Sequence, residues 1–382
     1  MKILITTDLY TTKTNGVVTS VRNLTRELTA QGHDVRILTF SENGRSRVEG
    51  NVYYIGSASL ERVYPNVRMP IRIRSRLVRQ LIAWKPDVIH SQCEFFSYHF
   101  AKRIAKRTGA PIVHTYHTLY EQYTKYIVPS RRVGRQLCKY ISKNRLKKAR
   151  VIIAPTQKVE DALHGYGVRN KVRIVPSGIE LRQHKARLTD DQRTRLRHEL
   201  GIADDEVVLL NLGRLGNEKR VDELLLLFGG VKEKFPKLRF LIVGDGPARY
   251  SLETLTRLLK LEDRVRFTGM VSPTEVQNYY QMADIFVSAS TSETQGLTYA
   301  EAAANGLPLL CRQDPCLDGL LIPGENGFAY TDAQSFYEGL AALLDTDARV
   351  RAGTKSRAIA EEFGCEVFGR RVEAIYEEAL ST

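Results

Sequence analysis

The 382-residue sequence is poor in cysteine and tryptophan, with five of the first and one of the second, and none of its apolar runs approaches the roughly 20 residues of a membrane span. The cysteines (Cys93, Cys138, Cys311, Cys316, Cys365) are odd in number and form no close Cys-x2-Cys pair, which speaks against a disulfide framework and for a reduced cytoplasm. Residues 224–228 are among the longest apolar stretches, and Lys2 is followed by only a brief one before Thr6. Neither a membrane helix nor a signal peptide is expected. The glycine fingerprint of nicotinamide dehydrogenases is also missing, because Gly244-Asp245-Gly246 is followed by Arg249 where the third glycine belongs. With no His/Cys/Asp cluster at metal-ligand spacing, no metal is expected. Finally, residues 122–159 contain no acidic side chain.

What is present fits a globular protein: 43% hydrophobic and 26% charged residues, in a length that suits two domains of ordinary size. The net charge of +14 is divided unevenly. Residues 1–180 carry 32 Lys+Arg against 12 Asp+Glu, whereas residues 181–382 carry 25 against 31. A half-molecule that basic is attracted to a polyanion, either nucleic acid or an anionic bilayer.

Short β-branched runs at 3–5, 35–39, 88–89, 111–114 and 151–154 alternate with helical stretches. The rhythm restarts at 207–212, 238–243, 265–268, 284–288 and 307–311. This is the βαβ pattern of two parallel sheets. The polar stretch 183–205 has helical character and no strand, and marks the boundary. Open α/β sheets bind ligands beyond the carboxyl ends of their strands, and the two sets of ends are expected to face one another across a cleft.

The most informative segment runs from Ser292 to Gly306. It sets Glu293 and Glu301 on either side of a strand-loop-helix junction. A helix starting near Leu297 presents the unpaired amides of Gly296, Leu297 and Thr298, together with the positive end of its dipole, to an anion such as a phosphate. The two carboxylates stand roughly 12 Å apart at helical rise, too far for the roughly 5 Å pair of a retaining glycosidase, and hold different parts of one extended ligand. Arg214 and Lys219, after the strand at 207–212, offer a planar fork and a point charge to a diphosphate. Gly16, at the opening of the first long helix, lets the backbone approach a phosphate or sugar.

The Glu-x7-Glu spacing, with Gly213-Arg214-Leu215 and Glu218-Lys219 upstream and Val243-Gly244-Asp245-Gly246-Pro247 between, resembles the retaining GT-B glycosyltransferases that use nucleotide sugars. Together with His114-Thr115-Tyr116-His117-Thr118 and Tyr120-Glu121-Gln122-Tyr123, the segment Glu293-Thr294-Gln295-Gly296-Leu297 resembles the bacterial 1,2-diacylglycerol 3-α-glucosyltransferases. The resemblance implies an α/β GT-B fold of two Rossmann-like domains facing across a cleft. Residues 1–182 would bind the acceptor and face the membrane, 183–365 would hold the nucleotide sugar, and the helix 366–382 would return to the first domain. It further implies UDP-glucose as donor and diacylglycerol as acceptor, with no cofactor besides the donor substrate. Glu301 would bind the ribose hydroxyls and Glu293 the donor sugar. His117 would contact that sugar near the reacting centre, and Arg214 and Lys219 would lie on the diphosphate.

Arg131, Arg135, Lys139, Lys143 and Lys147 recur every four residues, while Val133, Leu137, Tyr140 and Ile141 gather on another side, which describes an amphipathic helix with a cationic stripe. A second group, Arg68, Arg72, Arg74, Arg76 and Arg79, surrounds Met69, Ile71, Ile73 and Leu77. The stacking aromatics of a nucleic-acid module are not evident, so the expected partner is an anionic inner leaflet and not nucleic acid. Transfer onto a glycosylated lipid or a soluble acceptor would use the same donor motifs. A non-catalytic basic binding protein is the reading from another class. Donor sugar, acceptor, acyl-chain preference and oligomeric state are not encoded in these motifs.

Overall fold

The computed structural model describes residues 1–10, 16–59, 68–71, 75–119, 121, 130–185 and 187–381. It divides into two compact units, Met1–Gly178 with Cys365–Thr382, and Ile179–Gly364.

The first unit is built on strands β1 (Lys2–Thr6), β2 (Asp34–Ser41), β3 (Arg47–Glu49), β4 (Val52–Ser59), β5 (Arg68–Pro70), β6 (Val88–Ser91), β7 (Ile112–Thr115), β8 (Val151–Ala154) and β9 (Lys171–Ile174). Their order is β3-β4-β2-β1-β6-β7-β8-β9, with β5 also pairing β4. From β4 to β9 every pairing is parallel, but β3 and β5 run antiparallel to β4, so this sheet is mixed where the sequence suggests a parallel one. A two-residue connection, Gly50-Asn51 with Gly50 at φ +58°, can join only antiparallel neighbours. The strands β3, β4, β5 and β9 are not anticipated in the sequence. In β9 only Val172 is buried, so an edge strand leaves little apolar signal.

Helix Gly16–Ala30 turns Val21, Leu24 and Leu28 onto the β1–β2 side of the sheet, and helix Cys365–Ser381 brings Phe368, Val372 and Tyr376 into the same core. The two helices approach closely at Gly369, where an added Cβ would come within 2.9 Å of Glu27. Buried His90 joins helix to sheet, with Nδ1 2.6 Å from the Tyr376 hydroxyl and Nε2 2.7 Å from Thr115 Oγ1. Both ring nitrogens are occupied, which makes His90 a structural residue.

The second unit contains β10 (Val207–Leu212), β11 (Leu238–Val243), β12 (Val265–Gly269), β13 (Ile285–Ser288), β14 (Leu309–Arg312) and β15 (Gly327–Tyr330). They form a parallel sheet in the order β12-β11-β10-β13-β14-β15. Only β15, a four-residue strand opening on glycine, is missing from the sequence reading. The polar stretch before β10 forms helices Leu181–Lys185 and Asp190–Glu199, the latter opened by a Thr189/Gln192 capping box. Strand order reverses between β10 and β13. In open α/β sheets ligands bind beyond the strand ends at such a switch point.

Candidate active site

The loops that leave β10 and β13 carry the residues singled out in the sequence. Lys219 lies in the short 3-10 turn Asn217–Lys219 after β10, and Glu293 in the loop after β13. The fold joins them in a direct ion pair, and Glu293 Oε1 also accepts a hydrogen bond from Ser290 Oγ at 3.2 Å. Arg214 stays exposed and pairs with Glu218 one turn on. The cations and carboxylates singled out in the sequence are therefore paired with one another or with near neighbours.

The loop ends at Gly296, φ +74°, which is the N-cap of helix Leu297–Ala304 and supplies no side-chain cap. A Cβ at Gly296 would lie 2.5 Å from the Tyr299 ring, so only glycine fits both the backbone angle and the space. The first-turn amides of Leu297 and Thr298 thus adjoin the Glu293 loop with no capping side chain across them, the arrangement that suits a phosphate. Behind them, Gly213-Arg214-Leu215 and Gly244-Asp245-Gly246 lie backbone to backbone: Leu215 N–H donates to Asp245 O at 2.9 Å, and Ala248 N–H to Leu215 O at 2.9 Å. A Cβ at Gly244 would collide with the Gly213 carbonyl. These glycines are accounted for by close packing of two loops.

Glu301 lies one turn inside the helix, away from Glu293. Burial pushes its carboxyl above the usual range, and a 2.9 Å hydrogen bond donated by the Tyr280 hydroxyl pulls it partway back. Tyr280, 21 residues earlier, carries no sequence signal for this role; only the fold brings it to Glu301.

In the first unit, His117 stands two residues beyond the end of β7 and not on the strand itself. Its Nε2 lies 2.7 Å from Gln92 Oε1, and burial, then the neighbouring His114, lowers its pKa to about 3. His117 is therefore a neutral ring at any working pH. His114 faces elsewhere, with Nε2 3.2 Å from the buried Glu94 carboxylate. Gly16 is the exposed first residue of its helix; Thr14 and Asn15 lie outside the described residues, as do Tyr120, Gln122 and Tyr123.

The cationic stripe forms helix Arg131–Leu146, with Lys147 as its C-cap. An amphipathic helix ordinarily buries its apolar side. Here the buried positions are Gly134, Cys138, Ser142 and Leu146, while Val133, Leu137 and Tyr140 are 55%, 42% and 69% exposed. Lys139, Lys143 and Lys147 are exposed beside them, as is Arg135, whose guanidinium lies 3.7 Å from Glu121; the Arg131 side chain lies outside the described residues. The outer surface is thus both cationic and apolar. In the second basic group, residues 72–74 lie outside the described residues. Arg68 is not a surface cation: it donates to Ser57 Oγ at 2.9 Å and to the Glu42 carbonyl at 2.7 Å. Among the described residues no helix is long and apolar enough to cross a membrane, and no group of three His, Cys, Asp or Glu side chains is placed to hold a metal ion.

Comparison with known proteins identifies the family. Residues 14–183 match the profile described as Glycosyltransferase Family 4, and residues 192–359 that described as Glycosyl transferases group 1. The chain is 34% identical over 382 residues to an alpha-monoglucosyldiacylglycerol synthase of Streptococcus pneumoniae, covering 100% of this chain and 86% of that protein. It is 32% identical over 393 residues to the alpha-monoglucosyldiacylglycerol synthase of Acholeplasma laidlawii, covering 100% of this chain and 98% of that one. Among solved structures, Anabaena Alr3699/HepE in complex with UDP superimposes with a TM-score of 0.78 at 18% identity, over 99% of this chain and 100% of that one, a likeness of fold.

Proposed function

The chain belongs to the GT-B glycosyltransferases, enzymes that transfer a hexose from a nucleotide sugar, and on that premise we propose that it moves glucose from UDP-glucose to diacylglycerol with retention, giving an α-glucosyl lipid. The observation that carries this reading is the Lys219–Glu293 pair beside the uncapped start of helix Leu297–Ala304. Donor binding divides the pair. Lys219, with Arg214 and the amides of Gly296, Leu297 and Thr298, takes the diphosphate and stabilises the charge that develops on it as the glycosidic bond breaks. Glu293 turns to the sugar hydroxyls, Glu301 to the ribose hydroxyls, and neutral His117 hydrogen-bonds the sugar near the reacting carbon. Glu293, bound to an ammonium and a hydroxyl, is not poised as a nucleophile. Front-face substitution, in which the departing phosphate takes the acceptor's proton, then accounts for retention.

The acceptor reading is supported by the two full-length relatives, both synthases of a glucosylated diacylglycerol. It is also supported by the outer surface of helix Arg131–Leu146, which suits a peripheral protein on the inner leaflet of the cell membrane. The lysines and arginines meet anionic headgroups, at about 1 kcal/mol each near the surface, and Val133, Leu137 and Tyr140 enter the interface. Incubation with a panel of radiolabelled nucleotide sugars and diacylglycerol vesicles tests the proposal. Label should pass from UDP-glucose to the lipid phase; transfer from another donor only, or to water only, overturns it.

A further inference from the structure

Among the described residues, those at the ends of β1, β6 and β7 and at the start of helix Phe96–Thr108 include buried polar atoms with no hydrogen-bond partner: Thr6 Oγ1, Asp8 Oδ2, Gln92 Nε2, Ser97 Oγ, Tyr98 OH and His114 Nδ1. Buried polar groups are nearly always paired, so these atoms, with Asp8 on the Ser97 amide and the Tyr98 and His114 rings 5.4 Å apart, leave hydrogen bonds for a ligand to complete. β1 and β6 are adjacent, with Thr6 opposite Ser91 and the Gln92 N–H donating to the Thr6 carbonyl at 2.8 Å, so Asp8 and Gln92 leave the sheet on neighbouring strands.

Asp8 has a structural task that explains only half of its carboxyl. Oδ1 accepts the Ser97 N–H at 2.6 Å, capping helix Phe96–Thr108, whose N-cap residue Phe95 makes no side-chain cap bond. A carboxylate at a helix start is ordinarily stabilised as an anion. Burial outweighs that here and raises Asp8 to about 6, against the Ser97 amide and the nearby Ser97 hydroxyl, with Glu94 adding to the rise and Arg145 opposing it. Cys93 lies beside both carboxylates, and His114 contacts Glu94 from β7. A cap alone would be served as well by asparagine, without an anion in a buried place. Gln92 is similarly divided: its Oε1 is held by His117, and its Nε2 is unpaired although the residue is 2% exposed.

We infer that Asp8 and Gln92 form the subsite for the acceptor's free hydroxyl, Asp8 Oδ2 accepting from that O–H and Gln92 Nε2 donating to a neighbouring acceptor oxygen. The inference rests on the proposed function for its ligand, a lipid alcohol with an ester carbonyl beside the hydroxyl. Through Oε1, Gln92 also sets the orientation of His117, so the acceptor site and the ring near the reacting centre share one amide.

The test uses Asp8→Asn, which keeps an oxygen for the Ser97 amide. With dioleoylglycerol in mixed micelles, its kcat/KM for acceptor should fall about 10- to 100-fold, the range for a lost hydrogen bond to a charged group. KM for UDP-glucose should stay within about twofold of wild type. The variant should also melt higher than wild type at pH 8 and not at pH 3.5. A raised folded-state pKa contributes stability below the unfolded value and loses it as pH rises through about 6. A residue that serves only as a cap, a task asparagine performs equally, would leave kcat/KM for acceptor at the wild-type value, and that result overturns the inference. Binding is read independently of turnover, as the melting shift caused by dioleoylglycerol micelles. Wild type should be stabilised and Asp8→Asn and Gln92→Leu should not. An equal shift in the variants, or none in wild type, overturns the subsite. A shift in wild type without sugar transfer overturns the proposed function and leaves the subsite standing.

Discussion

Lys219 and Glu293, 74 residues apart, are joined in a direct ion pair at the ends of two adjacent strands. The pair lies where the strand order reverses, and on the proposed function each partner takes a separate part of the donor. Replacing Lys219 by Ala leaves Glu293 without its counter-charge and, on the proposed function, removes a cation from the departing diphosphate. Turnover at saturating donor should fall by about 2.7–4 kcal/mol in barrier, a hundred- to thousandfold. Unchanged kcat in Lys219→Ala would remove the residue from the reaction.

On the proposed function, Glu301 should govern the acidic limb of donor binding. Its carboxyl pKa is raised by burial, with the hydrogen bond from Tyr280 opposing the rise. Tyr280→Phe removes the stabilising hydrogen bond and should push the acidic limb of kcat/KM for the donor to higher pH, at constant kcat for the acceptor step. A profile identical to wild type would separate Tyr280 from donor binding.

Gly296→Ala should fold less stably by about 1–3 kcal/mol, the cost of a strained left-handed residue, because its Cβ meets the Tyr299 ring and φ is +74°. Denaturant melts of the variant check this; an unchanged midpoint would mean that Tyr299 moves aside without cost.

Membrane attachment should have two separable parts. Raising salt from 0.1 to 1 M shortens the Debye length from about 10 to about 3 Å and weakens the contribution of the cations. The exposed Leu137 and Tyr140 should leave a salt-resistant residue of binding. Substituting Arg135, Lys139 and Lys143 by Gln should remove roughly 3 kcal/mol at most, about a hundredfold in partitioning to anionic vesicles. Leu137→Ala with Tyr140→Ala should abolish what persists at high salt. Sedimentation with anionic and neutral vesicles decides it, and indifference to both sets of substitutions would make this helix an ordinary solvated surface.

The second sheet was largely legible because runs such as 207–212 and 238–243 are apolar but for Asn211 and Arg239, the near-continuous pattern of strands covered on both faces. Edge strands such as β3 and β9 carry few buried residues and leave no such trace. The amphipathic character of helix Arg131–Leu146 was readable, but not which side would be covered. Gly134, Cys138 and Ser142 are small enough to seat the helix closely on its neighbours, and that seam leaves the larger apolar residues outside. Glu293, Glu301 and Lys219 stood out by spacing and residue type. Other contacts did not: Tyr280 finds Glu301 across 21 positions and Ser97 finds Asp8 across 89, contacts set by the fold and not by any local pattern.

Charge on the diphosphate is assigned to Arg214 and Lys219, so a chelator should leave the rate unchanged, and the configuration of the new bond becomes the decisive observable. Proton NMR of the lipid product made from UDP-glucose and diacylglycerol reads it directly. An α-glucosyl anomeric signal is the expected result; a β anomer would contradict retention at this site.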